Sequence, residues 1–428
     1  MAEPYTDSRA FQSTSTITTE GKVQAAKGAD AKEELELKAD VSFEFLGRRL
    51  PPAGRDAEAL REARSFQKAD LVTRVAGYET KASLPDDRRL IVVNGSREGL
   101  ISYSPQGLLT RETVDLLEIP GDALSLLALL PSVEVSPGGE WTPPDWALQM
   151  LTGMEAVESS ELKCRLDQAT PSAAKVTYRG KIKGQKLGTN TSVDVVGVFL
   201  FNLESRYLTQ AKTVYTITSD VGTVHPGLNL KVTAVLARKP VEQVGELADD
   251  QLAKIPLEPP AESLALRYAA EPWGLELRHD RDWHLFQAVY SGGAPVAILR
   301  LVDLGSLVSQ CNLSPAPAVP AGSMTPMEQF EADIRQSLAE RFGDIVSQET
   351  IPLDDGRKMH RVAVTGSVLL RSEKGRTDLP MTWIYYLVSN PEGRQASFVF
   401  SVEPDLLDQL KARDRELVMT LKFVRPAS

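Results

Sequence analysis

Two cysteines and four histidines in 428 residues leave little thiol or imidazole chemistry to place. Cys164 and Cys311 stand far apart and are compatible with two buried thiols or one long-range bridge, so the redox compartment stays open. No segment approaches the ~20 consecutive apolar residues with which a helix crosses a bilayer, so no transmembrane segment is expected. Cations are outnumbered, 48 Lys and Arg against 58 Asp and Glu, for a net charge of -10. Contacts to a phosphate backbone need clustered cations, so nucleic acid is not an expected partner. The strained Gly-x-Ser-x-Gly elbow of a serine hydrolase is missing, and so is a Gly-Lys-Ser/Thr loop opening a helix. Gly180, Gly184 and Gly188 are spaced among strand residues and read as bulges in a curved sheet. No cofactor and no metal is expected. Met1 to Tyr5 lacks the basic and apolar regions of an export signal, which reads as cytoplasmic. A Thr/Ser-rich strand pattern over Phe11 to Thr19 follows directly, as it would after a trimmed signal, and the alternative is an exported protein.

What the chain does contain is alternation. From Glu34 to Phe45 polar and apolar residues alternate without an error, which makes a long strand with one wet and one buried face. A sheet wet on one face is antiparallel. Further strands are expected at Lys175 to Lys183, Val193 to Phe201, Arg206 to Ser219 and Asn229 to Arg238, forming a meander. Leu90 to Gly95 and Leu100 to Tyr103 form a hairpin whose spacing implies a loop longer than the two-residue Asn94-Gly95 turn. A helical insert lies near 110–153, leucine-rich from Leu116 to Pro131, with a helix opening at Thr142-Pro143-Pro144-Asp145 and stopping at Gly153.

The pattern dissolves between Lys239 and Ala261, where Pro240, Pro256, Pro259 and Pro260 cluster. This sets the expected organisation: an antiparallel-sheet domain at 1–240, a linker at 241–265 and a second domain at 266–428. The second holds short strands and a helix with a capping box, Thr325 as N-cap, Pro326 at the first position and Glu328 reaching back. Phe330, Ile334, Leu338 and Phe342 form its apolar stripe, and Gly343 ends it. Asp354-Asp355-Gly356 is a hairpin turn between later strands. The fold class is α+β: a long-stranded antiparallel curved sheet with a helical insert, followed by an antiparallel α/β sandwich.

Trp273-Gly274-Leu275, Asp282-Trp283, Leu299-Arg300-Leu301, Gln310 to Ser314, the helix after Thr325 and Trp383 to Val388 give the second half an order and spacing that resemble PsbP-like domains. That resemblance implies an antiparallel sheet flanked by helices and a binding rather than catalytic role. The first half is similar in plan to lipoprotein-carrier (LolA-like) half-barrels, which implies a concave face holding helices and an apolar ligand. Leu129-Leu130-Pro131, Trp141-Thr142-Pro143 and His225-Pro226-Gly227-Leu228 resemble segments of uncharacterised exported proteins of planctomycete-type bacteria, which implies a periplasmic or cell-envelope location.

Candidate chemistry is thin. His279 and His284 flank Asp280-Arg281-Asp282, but residues five apart on a strand face opposite ways, so the acids read as a turn. Leu162, Cys164 and Leu166 share one face, which reads Cys164 as a buried thiol rather than a nucleophile. The remaining candidates are Phe43, Phe45, Phe199 and Phe201, which would share the first sheet's interior under the leucines of 124–130. Either those leucines complete a core, or they cap a cavity in which the four phenylalanines bind a lipid-like ligand. The expected function is a non-enzymatic cell-envelope protein binding a protein or apolar partner. The alternatives are a carrier of an apolar ligand, or a hydrolase or metalloenzyme assembled from distant residues. Oligomeric state and partner identity are not legible.

Overall fold

The alternating run at 34–45 lies inside strand β2 (Lys32–Arg49), where Phe43 and Phe45 are buried and Glu36, Lys38, Asp40 and Glu44 are exposed. The structure is a computed structural model that describes residues 1–26, 32–97, 99–372 and 375–425. It divides into two units, Met1–Leu264 and Ala265–Ser428. Both are built on antiparallel sheets with fewer helices, an α+β architecture.

Before the insert the first unit contains β1 (Ala10–Ala26), β2, β3 (Arg61–Val75), β4 (Tyr78–Ser83), β5 (Leu90–Ser96) and β6 (Gly99–Tyr103). Helices α1 (Arg111–Leu116), α2 (Ala123–Leu127) and α3 (Asp145–Thr152) follow, with β7 (Glu140–Trp141) between the last two. The late strands are β8 (Ala156–Ser160), β9 (Lys163–Ala169), β10 (Ala173–Lys186), β11 (Thr189–Asn202), β12 (Tyr207–Ser219) and β13 (Gly227–Val241). Among the described residues these thirteen strands form one sheet, ordered β6-β5-β3-β2-β1-β13-β12-β11-β10-β9-β7, with β4 beside β3 and β8 beside β10. First and last strands pair along their length, Ala10 with Val241 through Gln24 with Gly227.

That order explains the insert. The chain leaves the sheet at one edge, β6, and re-enters at the other, β7, so the residues between must cross a face. They cross it closely: a Cβ on Gly121 would stand 3.3 Å from Ala234 Cβ on β13 and from Thr213 Oγ1 on β12. We call the covered face inner. Leu124, Leu126 and Leu129 are fully buried there, each such side chain contributing roughly 1.5–3 kcal/mol. Gly153 ends α3 in the left-handed conformation, φ 65°, as read from the sequence. A bulge falls between Lys183 and Gly184 where β10 meets β8, as the glycine spacing implied.

The hairpin reading needs correction. Ser96 pairs with Gly99, so the strands run on past Asn94-Gly95. Asn94 is a strand residue whose Oδ1 accepts a 3.0 Å hydrogen bond from Arg61 Nε, and that partner outweighs its turn preference. Residues 241–264 carry short helices, α4 (Asp249–Leu252) and α5 (Ala261–Leu264). Leu247 is buried in a cluster with Leu50, Ala63, Val92 and Tyr103.

The second unit opens with β14 (Leu266–Ala270), β15 (Leu275–His279), β16 (Trp283–Val289), β17 (Val296–Asp303) and β18 (Ser306–Ala316). Helix α6 (Met327–Leu338) leads into β19 (Phe342–Pro352), β20 (Lys358–Ser372), β21 (Gly375–Ser389) and β22 (Gln395–Val402). The chain then forms α7 (Leu407–Leu410), α8 (Arg413–Met419) and β23 (Lys422–Phe423). Among the described residues seven strands form a sheet ordered β16-β17-β18-β22-β21-β20-β19, and β14-β15-β23 form a small one. Period-two alternation divides the large sheet between two cores. Val362, Val364, Trp383, Tyr385 and Leu387 pack with Phe330, Ile334 and Leu338 of α6. Ile384, Tyr386, Phe398 and Phe400 pack with Leu275, Leu277, Leu417 and Val418.

Phe330, Ile334 and Leu338 of the expected stripe are buried on α6, but Phe342 falls in β19 and the helix ends differ. Thr325 makes no capping box: its Oγ1 accepts from Gln395 Nε2 at 3.0 Å, its N–H donates to Gln395 Oε1 at 3.1 Å, and its carbonyl accepts from His360 Nε2 at 2.9 Å. A tertiary partner outcompetes the local cap. The helix stops at Leu338, with Ala339 at φ 48°, and Gly343 lies in β19 instead. The Asp354-Asp355-Gly356 turn forms as read, Gly356 at φ 82° with its N–H donating to the Leu353 carbonyl at 3.0 Å.

Candidate functional site

Phe43, Phe45, Phe199 and Phe201 all lie on the inner face and are buried to within 2% of complete. The rings meet local neighbours: Phe45 and Phe43 approach Phe66 on β3 at 4.9 and 6.1 Å between centroids, and Phe199 approaches Tyr178 on β10 at 6.0 Å. Strand order separates the two pairs, with β1, β13 and β12 between β2 and β11. Clefts of 260, 330 and 520 Å³ occur on the first unit, and none is lined by these four residues.

The inner face also holds charge. Arg64 on β3, 1% exposed, donates from Nε to Glu62 Oε2 at 2.7 Å, and from Nη1 and Nη2 to Asp122 at 2.6 and 2.8 Å. Asp122 is in turn the N-cap of α2, accepting from Leu124 N at 2.8 Å. Burial alone would lower the Arg64 pKa, but the Asp122 and Glu62 carboxylates raise it above its ordinary value. Arg238 on β13 is held the same way by Glu3, at 3.0 Å, and lies 4.5 Å from the Phe11 ring centroid. Gly47 makes room for this network, since a Cβ there would stand 2.8 Å from Glu62 Oε1. Sequence reasoning passed over these residues. The available signal was a pair of charges, Glu62 and Arg64, at the same strand parity as the apolar Phe66.

Cysteines and histidines take structural places. Cys164 and Cys311 are free and buried, one in each unit. Burial pushes the Cys164 thiol up to about 12 and Cys311 well above its ordinary value, so neither is a thiolate near neutrality. Asp280 Oδ1 accepts from Asp282 N at 3.0 Å and Trp283 N at 3.3 Å, which makes the stretch between His279 and His284 a turn. His225 Nδ1 lies 3.1 Å from the Pro226 carbonyl. Among the described residues no three His, Cys, Asp or Glu side chains converge as a metal site.

His360 is buried with both ring nitrogens engaged, Nε2–H donating to the Thr325 carbonyl at 2.9 Å and Nδ1 facing Thr350 Oγ1 at 2.8 Å. Burial lowers its pKa below the ordinary 6.5. Below that value the unfolded chain binds a proton that the folded chain refuses. The stabilisation is therefore complete above about 6.5 and is lost as pH falls. Urea midpoints measured between pH 7 and pH 5 are expected to fall more steeply in the native protein than in His360→Gln; equal slopes would contradict this.

The second unit exposes apolar side chains at one sheet edge. Among the described residues strand β16 pairs only with β17, and its register shifts between Leu285 and Gln287, which leaves Phe286 in a bulge. Phe286 is 46% exposed and Tyr290 36%, with Val289 also exposed between them. The Arg300 guanidinium lies 3.5 Å from the Phe286 ring centroid. Trp273 donates from Nε1 to the Tyr290 carbonyl at 3.0 Å and crosses the Tyr290 ring edge to face at 5.2 Å.

No family model matches this chain, and no curated protein matches it. Solved structures do. Cyanobacterial PsbP (CyanoP) from Synechocystis sp. PCC 6803 is similar over 37% of this chain and 92% of its own, at 15% identity and a TM-score of 0.29. Lipovitellin, from a study of its lipid–protein interactions, is similar over 56% of this chain at 9% identity and a TM-score of 0.30, and the match spans 25% of the lipovitellin chain. MucB, in complex with MucA(peri), is similar over 98% of this chain and 94% of its own, at 11% identity and a TM-score of 0.18. No helix among the described residues is long and apolar enough to cross a membrane.

Proposed function

We propose that this is a non-enzymatic binding protein of the cell envelope, with a half-barrel-like domain at 1–240, a linker at 241–265 and a PsbP-like sandwich at 266–428. Its partner is a protein that docks along the β16 edge. The observation carrying this reading is the row Phe286, Val289 and Tyr290, exposed on an edge strand and backed by Arg300 and Trp273. Aromatic residues and arginine are the side chains that interface cores concentrate, and a free strand edge supplies main-chain donors and acceptors. The carrier reading would need Phe43, Phe45, Phe199 and Phe201 to part from neighbours that now bury them. Lipid co-purifying in a native mass spectrum would favour it instead.

A photo-crosslinking residue at Val289, activated in the source cells, is expected to give one discrete protein adduct. Phe286→Ala with Tyr290→Ala should abolish the adduct while changing stability by only about 1–2 kcal/mol, the size of the cation–π and aromatic contacts they give up. An adduct indifferent to that double change, or none, would overturn the docking site.

A further inference from the structure

We propose that the outer face of β10, β11 and β12 binds the surface of an anionic lipid bilayer, an inference that goes beyond the protein partner above and does not depend on it. The face is unusual for a chain of net charge -10. Val196 and Leu200 of β11 point outward, 60% and 39% exposed, with Val198 half-buried between them. The strand register gives each aliphatic residue a cationic cross-strand neighbour: Arg179 pairs with Val196, Lys212 with Val198 and Lys175 with Leu200. None of these three cations has an ion-pair partner among the described residues, whereas the adjacent Lys181 is paired with Asp194 at 3.5 Å. At the β7–β9 end of the patch, Arg179 and Val196 share the 520 Å³ cleft with Glu140, Glu161 and Asp194, balanced there by Lys163 and Lys181. One row further on, Val235 of β13, opposite Lys212, extends the apolar strip.

Two kinds of partner could meet such a surface, and the placement of charge decides between them. In a protein interface the buried centre is depleted of lysine and charges sit at the rim. Here the cations alternate with the aliphatic residues row by row, inside the patch. Lipid headgroups suit that mixture: valine and leucine enter the boundary between headgroup and acyl chain, while lysine and arginine lay their stems along apolar surface and send their charges to the phosphates. Attraction to anionic lipid accumulates per cation.

The test is flotation of the full chain with vesicles of phosphatidylcholine alone or mixed with phosphatidylglycerol. The protein is expected to float with the anionic vesicles at low salt and to be released as salt rises. Lys175→Gln, Arg179→Gln and Lys212→Gln together should lower the partition coefficient about a hundred-fold. Val196→Ser with Leu200→Ser should lower it several-fold with every charge kept. All five side chains are exposed or half-buried, and circular dichroism verifies that both variants remain folded. Equal flotation with both vesicle types, no flotation with either, or a triple variant that floats like the native protein would overturn the proposal. So would displacement by soluble polyglutamate combined with indifference to the two serine changes, which would point to an acidic protein instead.

Discussion

Arg64→Met is expected to destabilise the first unit by about 3–5 kcal/mol, because it leaves two carboxylates, Glu62 and Asp122, buried without their cation. Each is 2% exposed in its side chain, so water cannot take the place of the guanidinium. The cap of α2 would be compromised as well, since the same Asp122 carboxylate accepts from Arg64 and from Leu124 N. Removing the network as a whole should be milder than removing one member. Adding Glu62→Gln and Asp122→Asn to Arg64→Met is expected to recover more than half of the loss, because neither of those two buried side chains then carries a negative charge without its guanidinium. Urea unfolding of the full chain, with the first unit's transition assigned by hydrogen exchange at β2 and β3 amides, measures both. A loss under about 1 kcal/mol for the single change would show that the site is wetter than its burial implies.

Gly197→Val should cost about 3 kcal/mol, at the upper end for an overpacked core. Gly197 pairs directly with Tyr178, and the tyrosine ring lies across the glycine: a Cβ at 197 would stand 2.2 Å from Tyr178 Cζ and 2.4 Å from its Oη. The ring cannot simply swing away. It is 1% exposed, packs on Phe199, and its hydroxyl hydrogen-bonds Thr213 Oγ1. Tyr178→Ala alone should also destabilise, by about 3–5 kcal/mol, through the cavity it leaves. Combined, the two changes should cost less than their sum, since valine fills part of the space the ring vacates. Thermal unfolding of the single and double variants reads that coupling, and simple additivity would show that the residues do not compete for the same volume.

Both predictions concern residues that the sequence did not single out, and the reason is physical. Alternation is a local property, and it located the strands around Phe43, Phe199 and Tyr215 because side chains must point alternately in and out. The Phe330, Ile334 and Leu338 stripe of α6 and the glycine that stops α3 were legible for the same reason, each depending on neighbours within a turn or two. Local signals failed where a distant group competed for the same atoms. Gln395, far along the chain, takes the Thr325 hydroxyl from its capping role, and Arg61 holds Asn94 in a strand that its turn propensity would end. The interior charges belong to this second class. Nothing near Arg64 in sequence announces Asp122, which arrives because the insert must cross from β6 to β7.

The same division separates what the chain alone determined from what required its tertiary structure. Two sheet-rich units with long antiparallel strands, a helical insert and an acidic net charge follow from periodicity and composition, which are summed over neighbours and survive ignorance of topology. The filling of the inner face, the pairing of β1 with β13 that brings Glu3 to Arg238, the aromatic edge at β16 and the cation beside each outward valine of β11 depend on strand order and register. Register is set by long-range pairing, and a shift of one residue would send each of those side chains to the opposite face.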